Sequence, residues 1–281
     1  MPLTSVALIR IRLNAICLIA LVLAGTAGEA AAAQCGSGPA GFQSWLQRFR
    51  LQAAAQGIGS GTVLSALSDV TYDPSIIRLD RSQHSFKLSF QQFYARRVDK
   101  ALINKGRVLM QRHRALLYRI ETRFGVPGEV IVAIWGLETH YGADATARYS
   151  IIRSLATLAY DCRRSEFFTG QLLDALRIVD EGDLTPAQLR GGWAGEIGQT
   201  QFLPTPYIRF AVDFDGDGKK DLIHSVPDIL ASTASFLAGH GWQRGGEYQP
   251  GSHNYGVIAE WNKADVYDRT IAKMADELGA R

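Results

Sequence analysis

Glu138 follows Ile131 and Ile134 at helical spacing, so a helix here carries its carboxyl group on the same stripe as core-facing aliphatic side chains. Apolar surroundings disfavour an ionised carboxylate, and the negative end of a helix dipole acts in the same direction. A Glu in that position can keep its proton near neutral pH, as a general acid must. The structural alternative is a Glu that pairs with an Arg or turns to solvent at the helix end. Asp144 is the nearest carboxylate that could act with it, although its place just past the helix end also suits a turn former.

A second group of residues has the chemistry of a hard-cation site. From 213 to 224 the chain places Asp213, Asp215, Asp217 and Asp221 at positions 1, 3, 5 and 9 of an EF-hand-type loop. Gly218 is at position 6, and the backbone carbonyl of Lys219 is available at position 7. Position 12 is His224 instead of a bidentate Glu, and Asp228 could supply the missing oxygen; its other reading is a capping box with Ser225. The expected ion is Ca²⁺ in a structural role, and the alternative is a metal-free turn.

The elements that must position these groups are helical. Phe42, Trp45, Leu46, Phe49 and Ala53 form one stripe, and a second helix runs to Leu67 after a break at Gly57–Gly61. Tyr72-Asp73-Pro74 reads as a turn, and 89–124 is helical with basic faces expected in solvent. Pro127 opens the Glu138 helix, which runs to about Tyr141 with Gly142 as its cap. Further helices are expected at about 150–158, 164–181 and 225–239, with loops over 190–224. The class is mainly α, with β structure confined to small hairpins in the Gly-rich stretches.

The beginning of the chain is of another kind. Arg10 and Arg12 precede an apolar run from Leu13 to Leu23 and a small-residue tract ending at Ala33, the pattern of a cleaved export signal over 1–33. The run is short for a membrane span, the retained anchor being the other reading. Gln34 before Cys35 argues against a lipoprotein, so an exported periplasmic protein is expected. Cleavage would leave Cys35 and Cys162, either bridged in an oxidising compartment or as two free thiols. It would also leave 28 basic and 26 acidic side chains, a formal charge of +2 that gives no reason to expect nucleic acid. With 47% hydrophobic and 20% charged residues, the composition is ordinary for a globular protein. The serine-hydrolase, zincin and P-loop motifs are absent.

Four segments carry a resemblance, and they occur in order: Gly125-Val-Pro; Ala133-Ile-Trp-Gly-Leu-Glu138-Thr-His-Tyr-Gly142; Ser154-Leu-Ala-Thr-Leu-Ala-Tyr; and Gly198-Gln-Thr-Gln201-Phe-Leu-Pro204. Together they resemble the membrane-bound lytic transglycosylase B family. The resemblance implies a lysozyme-like catalytic core over 125–281, preceded by a helical region over 34–124. It also implies that Glu138 is the sole acid/base in cleaving murein between N-acetylmuramic acid and N-acetylglucosamine. The product would be a 1,6-anhydromuramyl end, and no cofactor would be needed for catalysis. Gln201 and Asn262 would contact the sugar, Tyr141 would line a subsite, and Arg163 and Arg164 would meet a peptide or lactyl carboxylate of murein. The family's Tyr-Asn element is Trp261-Asn262 here, so whatever its phenol hydroxyl does is in question. A monomer working on glycan strands is expected. The competing readings are a hydrolytic lysozyme of the same fold and a non-catalytic murein-binding protein.

Overall fold

The structure, a computed structural model, describes residues 34–83, 88–145 and 147–280. The expected export signal and Cys17 lie outside the described residues. None of the described helices is long and apolar enough to cross a membrane.

The fold is built around α7 (Gly128–Thr139), whose residues are buried on nearly every side. A helix apolar all round has to be enclosed by others. It is enclosed by α5 (Lys100–Arg112), α6 (Arg114–Phe124), α11 (Val226–Gly239) and, most extensively, α13 (Asp265–Gly279). Gly136 sets how near α13 can come: a Cβ there would lie 2.7 Å from the Met274 methyl and 2.7 Å from the Tyr141 ring. Close approach at that turn brings Tyr267 of α13 opposite Glu138.

The N-terminal helices cover the far side. α1 (Phe42–Ala55) buries the five residues of its expected stripe, and α2 (Ser60–Leu67) follows the glycine break. Phe42, Trp45 and Tyr160 meet as an aromatic cluster against α8 (Ile151–Tyr160), which packs in turn on α9 (Ser165–Asp180). Asp73-Pro74 opens a helix, α3 (Pro74–Arg81), where a turn was expected. The Asp73 carboxylate accepts the Ser75 N–H at 2.9 Å, and Pro74 fits the first helical position. The 89–124 stretch divides into α4 (Phe90–Arg97), α5 and α6, because Asp99 caps a new start and His113 ends α5. Helices on both sides of residue 125 share one continuous core, α4 and α5 packing on α13 and α3 on α8.

Three further helices go beyond the sequence reading: α10 (Pro204–Phe210) within the expected loop region, α12 (His253–Trp261) and α13. The cap of α7 also differs. His140 takes the left-handed conformation (φ 49°), and Tyr141 and Gly142 continue it (φ 60° and 81°). β structure is sparse, as expected: local antiparallel bridges join Gly191 to Ile197 and Ile197 to Phe202 in the Gly-rich stretch, and β1 (Tyr149–Ser150) pairs antiparallel with the distant β2 (Arg190–Gly191). Cys35 and Cys162 are joined by a disulfide with Cα atoms 5.0 Å apart, which ties the start of the described chain to the end of α8.

Asp268, next to Tyr267 on α13, is buried, and its Oδ1 has no hydrogen-bond partner among the described residues. Burial, with Asp265 adding to it, pushes its pKa up to about 7. The unfolded chain then releases this proton near pH 4 and the folded chain near 7, so stability is lost as pH rises across that window. Asp268→Asn is expected to raise the melting temperature, with a gap over wild type that widens from about pH 4 to about pH 7. Melting curves across that range would contradict this if the gap stayed constant.

Candidate active site

Glu138 lies in the last turn of α7 at the wall of a cavity of about 630 Å³. Its Oε1 accepts two hydrogen bonds of 2.7 Å, one from the Trp261 indole N–H and one from the Tyr267 hydroxyl. Trp261 ends α12, where its ring meets Phe202 and Phe236 edge-on with centroids 5.3 and 4.9 Å away. Tyr267 comes from the first turns of α13 and is buried beside Phe93. Burial raises the Glu138 pKa, the two donors and Arg97 oppose that rise, and the charge of Glu196 adds to it. Burial and the nearby Glu138 also raise Tyr267 well above the ordinary phenol value, so its hydroxyl stays a donor.

Part of the lining comes from the loop after β2. Ile197 exchanges backbone hydrogen bonds with Phe202, which presents Gln201 to the cavity in the left-handed conformation (φ 54°). Gln199, which the sequence reading passed over, fixes this loop to α7. Its Oε1 accepts the Trp135 indole N–H at 2.9 Å, and its Nε2 donates to the Ile223 carbonyl at 2.8 Å.

The acidic loop lies directly behind. The carboxylates of Asp213, Asp215 and Asp217 have oxygens within 4.8 Å of one another, a donor set that suits a hard divalent cation. Asp213 is held by the Gly216 and Gly218 N–H groups at 2.6 and 2.9 Å. Asp228 does not join the cluster: fully buried, it accepts the Phe214 N–H at 2.7 Å and the Asp221 N–H at 2.9 Å, while Ser225 caps α11. Asp221 likewise turns to the Ile223 and His224 N–H groups, and the Lys219 N–H bonds Asp217.

A family model described as a transglycosylase SLT domain matches residues 41–251. The chain belongs to this transglycosylase family. Membrane-bound lytic murein transglycosylase B of Escherichia coli (strain K12) is 37% identical over 144 residues, a match covering 51% of this chain and 39% of that protein. The chain thus spans about two fifths of the curated relative's length. SltB3 from Pseudomonas aeruginosa, solved in complex with NAG-NAM-pentapeptide, is 33% identical with a TM-score of 0.79, over 85% of this chain and 80% of that one. Slt35 of Escherichia coli, solved in complex with calcium, shares the fold at 22% identity and a TM-score of 0.73, over 88% and 96% of the two chains. The lysozyme-like, mainly α architecture expected from the sequence is therefore that of the lytic transglycosylases.

Within this family framework the expected site residues separate. Glu138, Gln201, Asn262 and Arg164 all line the cavity. Asn262 also spends its Oδ1 on the Ala264 N–H at the start of α13. Arg164 is paired with Asp80 and lies over the Phe168 ring. Arg163 is outside the cavity, its guanidinium bonded to the Asp80 carbonyl and carboxylate at 2.7 and 3.0 Å. Tyr141 requires a correction: it is buried, its hydroxyl donates to the Leu102 carbonyl at 3.0 Å, and it wedges between α7 and α5 instead of lining a subsite. Asp144 is exposed and paired with His140, away from the cavity lining. Tyr267, Glu196 and Phe167, all in the lining, are absent from the sequence reading.

Tyr267→Phe removes one of the two side-chain donors that favour ionised Glu138. The Glu138 pKa should rise further, moving the alkaline limb of the rate profile to higher pH while kcat falls by about tenfold. A pH–rate profile displaced the other way would exclude this role for the hydroxyl.

Proposed function

We propose that the chain cleaves murein at the bond between N-acetylmuramic acid and N-acetylglucosamine, with Glu138 as the single acid/base. The supporting observation is one cavity-lining carboxyl whose Oε1 takes both the Trp261 and the Tyr267 hydrogen bonds. That sharing leaves Oε2 to carry the proton. Protonated Glu138 gives it to the glycosidic oxygen as the C1–O bond breaks. The resulting carboxylate, stabilised by the two donors, takes the proton of the muramyl C6 hydroxyl as that oxygen bonds to C1. No water enters, Glu138 regains its proton, and the muramyl product ends in a 1,6-anhydro ring. The NAG-NAM-pentapeptide bound by the 33% identical SltB3 supports the substrate class.

The phenol in question at Trp261 has a replacement in this scheme. An indole N–H stands where the family has a Tyr, and Tyr267 adds a hydroxyl to the same carboxylate oxygen. Export through the 1–33 leader to the periplasm, without lipid attachment, and action as a monomer on glycan strands complete the proposal. The Asp213, Asp215 and Asp217 cluster is assigned a structural Ca²⁺, in keeping with the calcium complex of Slt35. When bound, that ion would neutralise three convergent carboxylates and brace the loop behind Gln199.

Mass spectrometry of digested sacculi should show anhydro-muropeptides, reduced about 10²- to 10⁴-fold by Glu138→Gln. Products carrying an added water would indicate a hydrolytic lysozyme instead, and no release would indicate a binding protein. Calcium at about a hundred times its Kd is expected to stabilise the protein by about 2.7 kcal/mol. The matching rise in melting temperature should disappear in Asp213→Ala/Asp217→Ala; a rise retained by that variant would place the ion elsewhere.

A further inference from the structure

Glu196 is a second carboxylate built into the cavity, and the mechanism above does not use it. Its loop is shaped around it. The Ala194 N–H donates to Oε2 at 2.9 Å, and the Gly192 N–H donates to the Glu196 carbonyl at 2.9 Å. A Cβ at Gly192 would lie 2.1 Å from Oε2, so the carboxylate fits there because residue 192 has no side chain.

Its neighbours do not neutralise it. The cations nearby are engaged elsewhere: Lys263 pairs with Glu260 at 2.7 Å, Arg164 with Asp80, and Arg97, also in the lining, donates to the Leu137 carbonyl. Burial raises the Glu196 pKa, and only the backbone N–H groups of Ala194 and Glu196 work against that rise. A carboxylate held in a cleft with no cation paired to it is costly for a merely structural loop. That cost is offset when a ligand supplies the missing donors. The same cavity exposes Phe167 and contains Gln201 and Asn262, which combines an aromatic surface with amide groups. Such a lining suits a neutral, donor-rich ligand with apolar C–H faces, the chemistry of an N-acetylated sugar.

We propose that Glu196 is a substrate-binding residue whose carboxylate accepts a hydrogen bond from an acetamido N–H or hydroxyl group of the sugar unit seated beside Glu138. Oε2 is already positioned by the Ala194 N–H, on a side chain that lines the cavity. The proposal rests on reading the cavity as the saccharide cleft.

The test uses the full chain carrying Glu138→Gln, titrated calorimetrically with an N-acetylglucosaminyl-N-acetylmuramyl pentapeptide. Adding Glu196→Ala should weaken binding about tenfold, whereas adding Glu196→Gln, whose amide oxygen still accepts, should cost less than about threefold. Equal affinities for the Ala and parent proteins would overturn the proposal. If the Ala variant does not fold, the side-chain carboxyl carbon resonance of Glu196 in the parent protein is the deciding measurement. It should shift when the fragment binds, and a fixed resonance in the bound state refutes the contact. Failure of the parent protein to bind any fragment would instead remove the saccharide reading itself, and the Glu196 proposal with it.

Discussion

A carboxyl group enclosed by protein tends to keep its proton, yet an acid/base must also survive as an anion in the same place. In the proposed acid/base role, Glu138 would meet both demands through one oxygen that receives an indole N–H and a phenol O–H. Neither donor carries a charge, so they moderate the effect of burial without abolishing it, and the pKa remains raised. Much of the architecture follows from that arrangement. α7 is apolar on all sides so that it can pass through the core, Gly136 lets α13 close on it, and the aromatic packing of Phe202 and Phe236 fixes the Trp261 ring.

The cavity walls are fixed by two separate polar systems. On one side, Asp228 gathers backbone N–H groups from the acidic loop, that loop bonds Gln199, and Gln199 holds Trp135 of α7. A cation bound at Asp213, Asp215 and Asp217 would thereby brace α7 at a distance from Glu138. On the other side, buried Asp80 takes Arg81, Arg163 and Arg164, and Asp161 shares Arg81. The Cys35–Cys162 bridge sits between Asp161 and Arg163 in the chain, so the covalent tie and the ion cluster hold the same corner. Arg164 can face the cavity because its partners are fixed beneath it.

How much of this was legible depended on where each signal resides. The α7 stripe, the α1 stripe and the acidic loop are local patterns, and they were readable as such. Asp228 was not, because its role as an anchor for three backbone N–H groups depends on how the loop folds back over α11. Tyr141 misled for a related reason: an aromatic three residues past a catalytic Glu can face either way, and the left-handed run at His140–Gly142 turns it inward. α13 is different, since Tyr267, Ile271, Met274 and Leu278 form a helical stripe in plain sequence. That stripe could have nominated the helix, though not the meeting of Tyr267 with Glu138 across 129 residues of chain.

Glu138 and Glu196 share a cavity and a burial-raised pKa, but their partners differ in kind. Glu138 is bonded by side-chain donors mounted on two helices, and Glu196 by the backbone of its own loop. Two carboxylates that sense each other do not ionise independently, and the first negative charge makes the second more costly. In the free cleft, an ionised Glu196 favours a protonated Glu138, the state from which an acid begins. A sugar N–H or O–H on Glu196 would disperse part of that charge, which lowers the cost of the Glu138 carboxylate once its proton has left. Substrate binding would then reduce the opposition to the anion at the step that forms it, while the free cleft retains the bias toward the acid.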